Sequence, residues 1–117
     1  MSVSFQGVGQ VCATFLGDGL SAGQVVKMSG RGTVGPCSSG DKFCGAAVHC
    51  GDGACSVLVS GFVTVEYSGT VPSVGWAELC ADGSGGVRSL TEKDTGGGVR
   101  CLVVDTDTAE KTATILL

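Results

Sequence analysis

Glycine is the residue that most constrains how this chain can fold. It makes up 21 of the 117 residues, well above the usual share of about 7%. The glycines follow no collagen-like period and lie between short apolar runs. Glycine adopts positive φ angles without steric cost, so this pattern predicts many tight turns and argues against long helices.

The segments between the glycines read as short β-strands. In the longest of them, Val57, Val59, Val63 and Val65 share one parity, while Ser60, Thr64 and Glu66 lie on the other. Such alternation is typical of a half-buried strand. We therefore predict an all-β fold, a compact small barrel or sandwich of short strands with glycine-rich turns and little or no helix. The predicted strands are residues 10–16, 24–28, 33–34, 43–50, 55–67 with a bend at Gly61, 75–81, 87 onward, 99–105 and 112–117.

Length and hydropathy predict one domain over residues 1–117, with residues 1–8 as a flexible N-terminal arm. A chain of this size buries about two thirds of the surface that it exposes when unfolded, which is enough for a core. The N-terminus lacks the basic residue and long apolar run of a signal peptide. No apolar stretch reaches the roughly 20 residues of a membrane span, so we expect no membrane association and synthesis in a cytosol.

The charge pattern argues against nucleic acid as a partner. The net charge is −4, and the seven basic residues are scattered along the chain, whereas nucleic-acid binding requires a basic face. Only 15% of the residues are charged, which is low for a freely soluble monomer. We expect that other protein subunits cover part of the surface.

Seven cysteines are present, an odd number that does not suit a secreted disulfide framework. No CxxC pair occurs, and His49 is the only histidine, so a zinc site is disfavoured. Cys44, Ala46, Val48 and Cys50 share one parity, and a strand would place them on one buried face. We expect mainly reduced core cysteines, with a metal site or a disulfide as the alternatives.

Three short motifs resemble catalytic or phosphate-binding signatures, but each lacks the context that its chemistry requires. Residues 30–35 fit GxGxxG, yet Pro36 and a loop follow instead of a helix. Residues 39–42 fit SxxK without a helix to align the serine with the lysine. Asp105 and Asp107 follow a strand as in phosphatase nucleophile loops, but the turn chemistry of aspartate explains them better. We predict no enzyme activity, no cofactor and no metal.

A carrier or ligand-binding domain is the weaker non-enzymatic alternative. Lys27-Met28 resembles the lysine-methionine hairpin tip of biotinyl and lipoyl carriers, although the glycine turn lies beyond the lysine. Tyr67 and Trp76 flank the loop 68–75, where they could close one end of the core, anchor an interface or stack on a sugar. We assign Phe5, Tyr67 and Trp76 as candidate interface residues.

The order of these elements resembles the small capsid decoration, or cement, proteins of tailed phages, as found in phages of gut Firmicutes. The resemblance spans nearly the whole chain and lies in turn-and-strand patterns rather than catalytic signatures. The residues that carry it are 23–27, 40–48, 61–65, 81–87 and the closing strand pair.

That resemblance implies an all-β protein, commonly trimeric, that binds the major capsid protein on the outside of the expanded head. The chain would then be a structural virion protein, made in the bacterial host cytoplasm and located on the capsid exterior. The alternatives are another phage structural β module, such as a tail or fibre component, or the ligand-binding or carrier domain. The cysteine content departs from what this role requires.

Overall fold

The structure, a computed structural model, describes residues 10–117, which form ten β-strands and no helix. The predicted all-β fold of short strands is confirmed. The predicted arm 1–8 and its candidate interface residue Phe5 lie outside the described residues. The strands are β1 (Val11–Leu16), β2 (Val25–Gly30), β3 (Thr33–Pro36), β4 (Gly45–Gly51), β5 (Ala54–Ser60), β6 (Phe62–Glu66), β7 (Gly75–Ala81), β8 (Val87–Ser89), β9 (Val99–Asp107) and β10 (Thr112–Leu116).

The first five strands close into a small barrel in the order β1-β3-β2-β4-β5. All neighbours pair antiparallel except β1 and β3, which are parallel and meet at Leu16 and Thr33. Small and β-branched side chains fill the interior because a barrel of this size leaves room for little else. The buried interior residues are Val26, Val34, Ala47, Cys55 and Val57.

The last five strands form an open antiparallel sheet in the order β6-β10-β9-β7-β8. One face of this sheet packs against the outside of the barrel. Val25 and Ala46 project from barrel strands into the same apolar cluster as Leu79, Val103 and Ile115 of the sheet, and all five are at most 1% exposed. The barrel and the sheet therefore share a core.

Gly61 marks the point where the chain passes from the barrel to the sheet. The sequence predicts a single extended run over 55–67 with a bend at this glycine, and the structure divides the run there into β5 and β6. Gly61 has a φ of 122°, a conformation that favours glycine. Because of the bend, Val57 packs inside the barrel whereas Val65 packs in the shared core.

The predicted buried face over residues 44–50 is wrong at Val48, which is 49% exposed. Ala47 pairs with Val57 and His49 pairs with Ser56, so Val48 is the extra residue of a β-bulge. A bulge leaves its extra residue unpaired and changes which face the following residues occupy. The alternation of strand faces seen before residue 48 therefore does not continue beyond it.

The cysteines are mostly reduced, but one pair forms a disulfide. Cys50 and Cys55 are direct partners across the β4–β5 hairpin, with Cα atoms 4.1 Å apart, and their sulfurs are bonded. Among the free cysteines, Cys12 is exposed. Burial raises the pKa of the Cys37 and Cys101 thiols to about 11, so these thiols stay protonated and unreactive at neutral pH.

We predict that a methyl group at Gly45 destabilises the barrel, whereas the same change at Gly51, at the other end of β4, does not. A Cβ atom at Gly45 would overlap the carbonyl oxygen of Leu58 and lie 2.8 Å from Cγ1 of Val57, but a Cβ at Gly51 meets nothing within 4 Å. Gly45→Ala should lower the free energy of unfolding by about 2–3 kcal/mol, and Gly51→Ala by less than about 0.5 kcal/mol. Urea denaturation measures both, and equal losses would contradict this packing.

The disulfide and the buried thiols predict a defined alkylation pattern, read by mass spectrometry. In the native protein, maleimide should label Cys12 first, because the buried thiols are inaccessible. In denaturant without reductant, five of the seven cysteines should react, and reductant should release the remaining two. Seven labels without reductant would show that Cys50 and Cys55 are not bonded.

Candidate docking surface

The sheet face that points away from the barrel is the main exposed feature of the described structure, and we call it the open face. Strand residues alternate between the two sides of a sheet. Because Ala77, Cys101, Val103 and Ile115 pack in the shared core, their strand neighbours lie on the opposite side. The open face comprises Phe62, Thr64, Trp76, Glu78, Arg100, Leu102, Asp105, Thr114 and Leu116.

An apolar row crosses the open face from strand to strand. The register places Trp76 opposite Leu102, Leu102 opposite Leu116, and Leu116 opposite Phe62. Directly opposed side chains in antiparallel strands have Cβ atoms about 5 Å apart, so the four form a continuous strip. Trp76 is 62% exposed, and the other three are partly exposed.

Trp76 ends this row beside a cation and an apolar loop. The guanidinium carbon of Arg100 lies 5.1 Å from the centre of the Trp76 ring, a distance that allows a cation–π interaction. Val71 and Val74, in the loop before β7, are 39% and 68% exposed. Trp76 and Arg100 line a shallow depression of about 230 Å³, too open to enclose a small molecule.

Polar groups lie on both sides of the apolar row. On one side, Glu78 pairs with Arg100 across β7 and β9. On the other side, the Thr64 and Thr114 hydroxyls are 2.9 Å apart, and Asp105 pairs with Thr114. An apolar centre with a polar rim is the usual composition of a protein–protein interface.

An ion pair fixes the segment that borders the open face beyond β7. Both Asp94 oxygens accept hydrogen bonds from the Arg88 guanidinium at 2.8 Å, and the Thr91 amide also donates to Asp94. The guanidinium and this amide hold the pKa of the Asp94 carboxyl well below its usual range. Cys80 pairs with Arg88 and is fully buried, so this end of the sheet is closed.

The structure separates the candidate interface residues that the sequence groups together. Tyr67 is only 6% exposed and belongs to the shared core, where its ring contributes to packing rather than to an outer surface. Trp76 lies on the open face, and Phe5 is outside the described residues. Leu102, Leu116 and Phe62 were not predicted, because their strand alternation gives no sign that they adjoin Trp76.

Two of the catalytic-like motifs lie in a turn and a loop, and the third lies at the end of β9. Residues 30–35 belong to the β2–β3 hairpin, with the turn at Arg31-Gly32. Asp107 accepts hydrogen bonds from the amides of Ala109 and Glu110, and Asp105 accepts one from the amide of Thr106. Asp107 therefore organises the backbone at the β9–β10 connection, whereas Asp105 lies within β9.

Lys27 lies within β2 and forms an ion pair with Asp41. This hydrogen-bonded contact raises the pKa of Lys27 and, with the Ser38 amide, lowers that of Asp41. A lysine held by a carboxylate in mid-strand does not have the exposed hairpin-tip position that a carrier domain uses. Ser39 accepts a hydrogen bond from Arg88, and no helix connects it to Lys42.

A polar groove of about 390 Å³ lies between the β1–β2 loop, β6 and the turn at residues 84–85. Its lining combines hydroxyl, amide and carboxylate groups with the side chains of Ala22 and Val65, and includes no aromatic ring. Within residues 10–117, no group of three or more His, Cys, Asp and Glu side chains could hold a metal ion. In the described part of the chain, no helix has the length and apolarity to cross a bilayer.

No protein-family model matches this chain, and no curated protein is significantly similar to it. Its function must therefore be inferred from the surface described above together with the strand-and-turn resemblance.

We predict that Asp94→Asn destabilises the protein in a pH-dependent way. A carboxyl whose pKa is lowered by folding stabilises the native state fully above its unfolded pKa of about 3.9, and this contribution is lost as the pH falls towards the lower folded pKa. The difference in unfolding free energy between wild type and variant should be largest at neutral pH and smaller at about pH 2.5.

Urea melts at both pH values measure this difference. Asp18→Asn is the matched control. Within residues 10–117, the one hydrogen bond to the Asp18 side chain comes from the adjacent Gly19 amide, so this change should alter stability little at either pH. An Asp94→Asn loss that is equal at both pH values would show that the ion pair does not depress this carboxyl.

Proposed function

We propose that this chain is a structural virion protein that binds the outer surface of an expanded phage capsid and stabilises it. The open face is the observation that carries the proposal. It presents a strip of apolar side chains from four adjacent strands on a rigid sheet, with polar groups on both sides. Such a surface suits contacts between protein subunits.

The composition of the surface also supports this role. A protein on the outside of a capsid does not contact the packaged genome, so a net charge of −4 with scattered basic residues is compatible with it. The Cys50–Cys55 disulfide suits the same location, because disulfides persist in oxidising surroundings such as virion surfaces.

The fold suits a protein that reinforces a lattice. The closed barrel and the open sheet share one core, so the two lobes form a single body. A protein that binds the expanded shell but not its precursor stabilises the shell by mass action. The effect is multiplied because many copies bind one particle.

The direct test is co-sedimentation of the purified chain with expanded, undecorated heads of the phage that encodes it. We expect saturable binding to expanded heads, little binding to unexpanded precursors, and a higher temperature of head disruption after binding. The matched control uses heads that are already decorated, whose sites should be occupied. Failure to co-sediment with undecorated heads would overturn the proposal.

Localisation on the particle distinguishes this role from that of a tail or fibre component. Antibody labelling and electron microscopy of the intact virion should place the chain over the whole head surface. Label confined to the tail would replace the capsid proposal with the other structural role.

A further inference from the structure

We infer that the open face is a contact between two copies of this chain, stacked face to face with their β9 strands antiparallel. The inference rests on the proposed function and deepens it: it assigns the open face to the contact between copies of the chain, so that the capsid is bound by another surface of each copy. It follows from three features of the face: the position of the apolar row, the distribution of charge on β9, and the central place of β9 in the sheet.

The charges on the open face have opposite signs at the two ends of β9. Leu102, in the apolar row, lies between Arg100 on one side and Asp105 on the other. Both charged residues are exposed, and among the described residues neither takes part in an ion pair. Arg100 is directly opposite Glu78 but contacts the Trp76 ring instead.

This arrangement is self-complementary under only one of the two simple twofold rotations. A twofold axis along the apolar row places Leu102 over Leu102 and brings Arg100 of each copy towards Asp105 of the other. A twofold axis along the strands places Arg100 over Arg100, because β9 is the central strand of the sheet. The first rotation pairs opposite charges, and the second opposes like charges.

Sheet packing makes this contact geometrically reasonable. Stacked sheets lie about 10 Å apart and cross at about 30°. A crossing centred on Leu102 keeps the two β9 strands close along their length. A contact in which the same patch is used by both copies is the isologous kind that closes into a dimer.

The size of the face predicts a weak dimer. Four strands and six residues along each strand cover about 19 by 20 Å, or about 400 Å² per copy. A standard specific interface covers about 800 Å² per partner. We therefore expect association only at high protein concentration in solution, while an array of copies on a shell would strengthen the contact by multivalency.

Charge exchange between two variants tests the contact most directly. In a dimer of Arg100→Asp, the new aspartate of each copy faces Asp105 of the other copy, so two aspartates meet at each end of the contact. In a dimer of Asp105→Arg, two arginines meet at each end. Each variant alone should dimerise at least about tenfold more weakly than wild type. In an equimolar mixture, each of the two contacts joins an aspartate to an arginine, so the mixture should recover association as a heterodimer.

Sedimentation equilibrium at protein concentrations up to hundreds of micromolar measures these constants. Trp76 is the only tryptophan, so its fluorescence should shift to shorter wavelength as the face is covered. Arg31→Asp, in the β2–β3 turn of the barrel, makes the same change in net charge away from the open face and should dimerise like wild type. Circular dichroism and thermal melts of each variant check that it is folded.

Several results would overturn the inference. These are a wild-type monomer at every concentration, a trimer such as the resemblance implies, a dimer insensitive to Arg100→Asp, or a variant mixture that does not recover association. Head binding separates this inference from the proposed function. If the chain is a monomer and binds expanded heads, only the dimer inference is overturned. If the chain dimerises but does not bind expanded heads, only the proposed capsid role is overturned.

Discussion

The apolar core shared by the barrel and the sheet is the constraint on which the rest of this structure depends. Neither lobe can bury its contact face alone, because Val25 and Ala46 lie on the outside of the barrel and Leu79 and Ile115 lie on one side of a single sheet. Packing the lobes together removes these side chains from water. Over β6, β10, β9 and the first part of β7, the opposite side of the sheet remains uncovered by its own chain in the described structure.

Close backbone approach at glycine positions allows the strands and turns within each lobe to pack together. A Cβ atom at Gly45 would overlap the backbone of β5, and one at Gly86 would overlap the carbonyl oxygen of Glu66. Gly61 has a different role, since its positive φ turns one extended segment from the barrel into the sheet. The abundance of glycine therefore reflects packing and direction as well as tight turns.

The open face connects this architecture with the proposed role. Its apolar row is continuous only because β6, β10, β9 and β7 are neighbours. Arg100 and Asp105 lie on the same face only because the bulge in β9 falls between them. A small face of this kind gives weak contacts individually. Weak contacts that repeat over a lattice can hold a shell firmly while each remains reversible during assembly.

The sequence by itself determined the all-β class, nearly every strand and the turns between them, because glycine spacing and residue alternation are local properties. It also indicated that Asp107 organises a turn and that Gly61 bends a strand. Only the tertiary structure decided that Tyr67 is buried while Trp76 is exposed, that Val48 leaves its expected face at a bulge, and that Cys50 meets Cys55. The apolar row also became visible only in the tertiary structure, because it joins strands that are far apart in the chain. The pairing of those strands depends on long-range packing that local patterns do not encode.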